Sequence, residues 1–196
     1  MTTQEHTAAM FSNSSKSSSS QEQENALLRA RPVRLLLLDV DGVLSDGRIS
    51  YGTDGLELKS FHTQDGFGLR LLRQSGIAAG IITGRGSEAV RRRAAELKLS
   101  HLYENAADKL VLFEEILRQE GLQPEQCAYM GDDWMDLPLL RRVGLAAAPA
   151  NAVAAVKERV HFVTQRNGGD GAVRELCDLL LKAQGLYDQL LLQFDR

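Results

Sequence analysis

The sequence predicts an α/β fold in which a parallel sheet carries helices on both faces, with a β-hairpin flap after the first strand and no large cap domain. Three observations carry that expectation. Short apolar runs alternate with amphipathic stretches of helical period; four leucines run straight into two carboxylates in Leu35-Leu36-Leu37-Leu38-Asp39-Val40-Asp41-Gly42-Val43; and one glycine-rich stretch breaks the rhythm with a period of two.

In chain order, residues 1 to 25 are polar and include Ser17-Ser18-Ser19-Ser20. They hold too few large apolar groups to offset the entropy of ordering them, so a disordered serine-rich tail is expected there. Pro32 opens the folded unit, a single domain over 26–196 with a C-terminal arm from about 168. Strands are expected at Leu35–Val40, Ala78–Ile82, His101–Tyr103, Cys127–Met130, Leu145–Ala147 and His161–Val163. Helical spacing occupies Phe67–Gln74, Glu88–Leu97, Lys109–Gln119, Leu137–Arg142 and Ala152–Lys157 between them. Such alternation builds right-handed βαβ units.

Arg48-Ile49-Ser50-Tyr51 and Glu57-Leu58-Lys59-Ser60-Phe61 flank the turn Gly52-Thr53-Asp54-Gly55, which reads as a hairpin. Following the aspartate pair directly, it should project over the same end of the sheet, as a flap or as an inert edge. Gly168-Gly169-Asp170-Gly171 reads as a flexible hinge before an apolar helix over 172–181. A last helix near Leu186–Phe194 carries more apolar surface than a lone domain normally exposes, which suggests packing against another subunit.

Composition narrows the function. With 196 residues, 43% hydrophobic and 25% charged, the chain is an ordinary globular protein. A net charge of −3 argues against nucleic acid, whose binding needs a basic face. No run reaches the roughly 18 apolar residues of a membrane span, and the N-terminus lacks a secretory pattern. Cys127 and Cys177 have no metal-ligand spacing and suit small core hydrophobes in a reducing cytoplasm.

Asp39 and Asp41 stand at the carboxyl end of a strand, where open α/β sheets place ligands. Two adjacent buried carboxylates are costly without a cation, yet a helix cap and a turn aspartate would explain the pair alone equally well. Further groups fall at successive strand ends. Thr83-Gly84-Arg85 offers a hydroxyl, a free N–H and a cation, a phosphate cradle or an ordinary N-cap. Lys109 opens a helix, where the macrodipole disfavours cations unless an anion shares the site. Gly131-Asp132-Asp133-Trp134-Met135-Asp136 crowds three carboxylates, and an oxygen-only donor set favours Mg²⁺ over zinc.

In the order DVDGV, Thr83, Lys109 and GDDWMD, these four motifs resemble the haloacid dehalogenase-like phosphatase superfamily, whose sheet is Rossmann-like. Within it, the segments LLLDVDGVLSDGRISY, FHTQDGFGLRLL, IITGRGSEAVRRRAAEL, YMGDDWMDLPLLRRVGLAAAPANA and GGDGAVRELCDLLLKAQG most resemble the 3-deoxy-D-manno-octulosonate 8-phosphate phosphatases, over roughly 33–187. The resemblance implies Asp39 as nucleophile forming an aspartyl-phosphate and Asp41 as acid, then base. It implies Mg²⁺ on Asp39, the Asp41 carbonyl and Asp132; phosphoryl oxygens on Thr83, Gly84 and Lys109; and Asp133 and Asp136 in support. Arg70, Arg85 and Arg93 are the candidates for a sugar carboxylate, with His62, Thr63, Gln64, Asp65 and Gly66 lining the sugar and solvation the alternative for Arg70 and Arg93. The short intervals between motifs leave no room for a cap, and the resemblance implies a cytoplasmic homotetramer acting on a phosphorylated acidic sugar for lipopolysaccharide. A phosphatase of a sialic-type nonulosonate 9-phosphate is the rival within the same chemistry. A non-catalytic phosphosugar-binding or assembly module is the rival outside it, disfavoured because every catalytic carboxylate is present.

Overall fold

The computed structural model describes residues 21–53 and 57–195; the serine-rich stretch 1–20 and Asp54-Gly55 of the expected hairpin turn lie outside them. The leucine run forms β1 (Leu35–Leu38), every residue of it fully buried. Leu35 and Leu37 point into one apolar layer, and Leu36 and Leu38 into the other. A strand covered on both sides reads as a continuous apolar run, and each leucine contributes about 2 kcal/mol by leaving water.

β1 pairs in parallel with β4 (Ala78–Ile82) on one side and β6 (Cys127–Met130) on the other. Outward lie β5 (His101–Tyr103) beyond β4, then β7 (Leu145–Ala148) and β8 (Phe162–Val163) beyond β6, giving the parallel order β5-β4-β1-β6-β7-β8. The six expected strands are all present, three with the expected bounds and three with one end moved by one or two residues. After β5 the chain returns to the far side of β1, so the strand order reverses there, the place where open sheets form a ligand crevice. Gly80 permits the close pairing of β4 with β5, because a Cβ there would sit 2.7 Å from that of His101.

Leu36 and Leu38 share their layer with α2 (Thr63–Gln74), α3 (Glu88–Leu97) and α7 (Ala172–Ala183); Leu35 and Leu37 meet α4 (Lys109–Glu120), α5 (Leu137–Leu140) and α6 (Ala154–Lys157). The hairpin is shorter than expected, β2 (Ser50–Tyr51) against β3 (Glu57–Leu58). Both cysteines are buried in the core, and burial pushes the Cys127 thiol up to about 12, which suits packing rather than reactivity. Among the described residues no helix is long and apolar enough to cross a membrane.

Two expectations need correction. Residues 21–30 form a helix, α1, so the last five residues assigned to the tail are ordered; Ala26 and Ala30 dock into the core just past that boundary, and the polar turn before them continues their helix. Nor is Gly168–Gly171 a free hinge. Gly168 packs so tightly on the Gly42 carbonyl that a Cβ would overlap it, and the Gly169 N–H donates to Val43 O at 2.9 Å. Helix α7 then lies in the core with Leu176, Cys177, Leu180 and Leu181 fully buried. The C-terminal helix α8 covers Tyr187–Leu191, and the Phe194 ring beyond it meets Phe67 edge-on at 5.6 Å.

The start of α7 has no cap of its own; buried Asp65 on α2 supplies one, accepting the Arg174 N–H at 2.8 Å and the Gly171 N–H at 3.4 Å. Asp65→Ala is expected to lower unfolding free energy by about 1–2 kcal/mol in urea titration, and Asp65→Asn, which keeps an acceptor, by less.

Candidate active site

Past Leu38 the Asp39 N–H extends the ladder to Met130 O at 3.0 Å, and the chain then turns sharply, with the N–H groups of Leu44 and Ser45 both donating to Val40 O at 2.9 Å. That turn separates the two carboxylates. Asp39 joins Asp132 and Asp136 in a group whose nearest oxygens all lie within 4.8 Å of one another. The Asp41 carboxylate faces the other way, toward the hairpin.

Lys109 reaches the acidic group from the first residue of α4. Its Nζ donates to Asp136 Oδ1 at 2.7 Å and to the Tyr129 hydroxyl at 3.2 Å, and stands 3.0 Å from Asp39 Oδ1. The last contact is a close ion pair, and apart from it Asp39 Oδ1 is buried without a polar partner. Burial lowers the Lys109 pKa, but the charges of Asp39 and Asp136 outweigh it and hold the ammonium above its ordinary value. A cation at a helix start is stable here because two carboxylates face it, as the sequence pattern required.

Asp136 is saturated. Its Oδ1 also accepts the Tyr129 hydroxyl at 2.6 Å, and its Oδ2 accepts the N–H groups of Asp132 at 2.9 Å and Asp133 at 3.2 Å, so it orders the β6 loop. Asp133 caps the following turn through the Trp134 N–H at 2.7 Å. Asp39 and Asp132 are the pair with open lone pairs. Burial raises Asp39 to about 6, and burial with repulsion from Asp136, Asp39 and Asp133 raises Asp132 to about 7. Three carboxylates facing one ammonium leave two negative charges uncompensated, and all the donors are hard oxygens, which fits a divalent cation of the Mg²⁺ class. Gly42 makes room for the Asp132 carboxylate: at φ +86 its missing Cβ would lie 2.1 Å from Asp132 Oδ2.

β4 brings the third wall. Thr83 is buried at its end, its hydroxyl accepting the Arg85 N–H at 3.3 Å, and Gly84 follows beside the Met135 side chain. Arg85 then turns to the hairpin, donating to Glu57 Oε2 at 3.0 Å with its Nε 3.9 Å from Asp41 Oδ2. Lys59, its side chain 1% exposed, bridges Asp41 Oδ1 and, at 3.0 Å, Glu57 Oε1. Ser45 Oγ lies 3.3 Å from the same Asp41 oxygen.

The residues assigned to the sugar divide. His62 precedes α2; Arg93 donates to its carbonyl at 3.4 Å, and Gly66 leaves the space that the Arg93 guanidinium fills. The His62 Nε2 stands 3.8 Å from Asp170, its Nδ1 buried without a hydrogen-bond partner, and Thr63 and Gln64 are exposed beside it. Asp65 does not line this surface, since its carboxylate is spent on capping α7. Arg70 is exposed, with its guanidinium 4.8 Å from the centre of the Phe67 ring. Sequence reasoning missed Ser45, Glu57, Lys59 and Tyr129. Glu57 and Lys59 left a readable signal, two charges on one face of a hairpin beside an aspartate.

A family model described as haloacid dehalogenase-like hydrolase matches residues 99–176. The 3-deoxy-D-manno-octulosonate 8-phosphate phosphatase KdsC of Escherichia coli K12 is 47% identical over 165 residues, covering 84% of this chain and 88% of that protein. The crystal structure of the enzyme of that name from Yersinia pestis superposes with a TM-score of 0.82 at 47% identity, covering 84% of this chain and 89% of that one. Its namesake from Moraxella catarrhalis, solved in complex with magnesium, phosphate and KDO, gives 0.85 at 42% identity, covering 86% and 97%.

The raised carboxylates set a pH dependence. Asp39 and Asp132 keep protons in the folded chain that the unfolded chain has released, so the stability they contribute is complete below about pH 4 and is lost as pH rises through about 6 and 7. The cation-free protein should melt at falling temperature between about pH 5 and pH 8. Added Mg²⁺ should raise the melting temperature most at the upper end, because it binds the deprotonated carboxylates.

Proposed function

The chain belongs to the haloacid dehalogenase-like hydrolases, in the family of 3-deoxy-D-manno-octulosonate 8-phosphate phosphatases, and we propose that it hydrolyses that sugar phosphate to 3-deoxy-D-manno-octulosonate and phosphate for lipopolysaccharide synthesis. The observation that carries this reading is the unsaturated pair Asp39 and Asp132 converging at the carboxyl ends of β1 and β6, with Lys109 against Asp39 and Thr83 following the neighbouring strand β4.

Asp39 attacks phosphorus and becomes an aspartyl-phosphate. Its Oδ1 is buried beside Lys109, whose charge holds the phosphoryl group close. Asp39, the Asp41 carbonyl and Asp132 hold Mg²⁺, which when bound offsets the repulsion between carboxylate and phosphate. Thr83 and the Gly84 N–H take the equatorial oxygens with Lys109. Asp41 protonates the departing sugar oxygen and then removes a proton from the water that cleaves the intermediate. Asp136 fixes Lys109 and the β6 loop, and Asp133 fixes the turn after it.

Beyond the phosphate, Arg85 and the cluster of His62, Thr63, Gln64, Gly66 and Arg93 receive the acidic sugar. Water exclusion falls to the hairpin and to a neighbouring subunit. The exposed Ile49, Tyr51 and Leu58 on the hairpin, with Leu191, Leu192 and Phe194 at the C-terminus, support a homotetramer. Two buried free thiols support a cytoplasmic location.

Phosphate release from the octulosonate 8-phosphate is expected to require Mg²⁺ and to exceed that from a nonulosonate 9-phosphate; equal turnover of both would remove the assigned specificity. Asp39→Asn should lose activity by at least about 1,000-fold. Full metal-dependent turnover by that variant would refute the nucleophile.

A further inference from the structure

Asp41, Lys59, Glu57 and Arg85 close a ring of alternating charge. Lys59 links Asp41 to Glu57, Arg85 links Glu57 back toward Asp41, and three of the four groups arise from the hairpin or the loop after β4. Lys59 is the inner member, its side chain 1% exposed against 47% for Arg85. Two cations and two anions balance, so the ring needs no further ion. Its geometry holds one oxygen of Asp41 between the Lys59 ammonium and the Ser45 hydroxyl, while the other faces Arg85 at the longer distance of 3.9 Å.

From this geometry we infer that Lys59 is a positioning residue for the reaction: it aims the Asp41 carboxylate at the departing sugar oxygen, and Glu57 holds Lys59 in place. The inference rests on the reading of Asp41 as the acid and base given above. It assigns the hairpin a part in the chemistry beyond covering the site, because the turn after Val40 leaves Asp41 outside the acidic group and without its support. A proton donor off its line by about 1 Å can lose on the order of 100-fold in rate. Such a loss shows only where a proton must be delivered. A sugar alkoxide cannot depart without one, whereas p-nitrophenolate is a weak base and leaves unprotonated.

The test compares Lys59→Met, Lys59→Arg and Glu57→Gln with the unaltered full-length protein on two substrates. On the octulosonate 8-phosphate, Lys59→Met should lower kcat by roughly 10- to 100-fold with KM held within about threefold, and Lys59→Arg should recover part of the loss. With p-nitrophenyl phosphate, rapid-mixing measurement of the first turnover should show p-nitrophenolate released at close to the unaltered rate. Glu57→Gln should reproduce the same leaving-group dependence more weakly, which keeps the test usable where Lys59→Met folds poorly. Stabilisation by Mg²⁺ in thermal melts should be unchanged in all three. Equal losses on both substrates, a rise in KM alone, or no loss at all would overturn the assignment. Absence of sugar phosphatase activity in the unaltered protein would instead refute the function proposed above.

Discussion

Repulsion among carboxylates at the carboxyl ends of β1 and β6 is the constraint from which the rest of the site follows. Asp39, Asp132 and Asp136 stand within 4.8 Å of one another, a gathering that unaided would push the loops apart. The chain answers in two ways. It ties Asp136 down with Lys109, Tyr129 and two backbone N–H groups, and it leaves Asp39 and Asp132 with open lone pairs. The remaining excess of negative charge is then a binding energy for a divalent cation held in reserve. Lys109 links the two arrangements, since its ammonium touches both the saturated carboxylate and the open one.

A second electrostatic unit sits across the crevice and obeys the opposite logic. Around Asp41 the charges balance, and the hairpin supplies two of the four groups. One aspartate thus sits where charge is in deficit and the other where it is compensated, although a single valine separates them in the chain. The turn that follows Val40, with its carbonyl accepting successive N–H groups, is what gives two neighbouring carboxylates two environments and hence two kinds of chemistry.

Most of the framework was legible because it is written in patterns of period and polarity. The leucine run, the alternating helices and the charged residues at strand ends were visible in Leu35–Asp41, Thr83, Lys109 and Asp132 without any coordinate. What was hidden depends on distances between elements remote in sequence. Asp65 reads as a residue of a substrate-facing loop until the start of α7, folded against it, claims its carboxylate. Gly168–Gly171 reads as slack chain, yet at Gly168 and Gly169 the backbone of Gly42, Ser45 and Asp46 approaches too closely for any side chain. Arg70 reads as a fork for a carboxylate, and within the folded chain its guanidinium lies over the Phe67 ring. Tyr129 reads as a core aromatic in a buried strand, and it is one, but its hydroxyl also steadies the lysine and carboxylate above it.

The contact between Gly42 and Asp132 has a consequence for how the site can vary. The carboxylate occupies the volume that a side chain at position 42 would fill, and the backbone there is left-handed, so the two positions are one device split across the chain. A loop transplanted after β6 from another protein would work only beside a glycine in the first turn. A larger residue in place of that glycine would displace the second carboxylate, so the two segments constrain each other although ninety positions separate them.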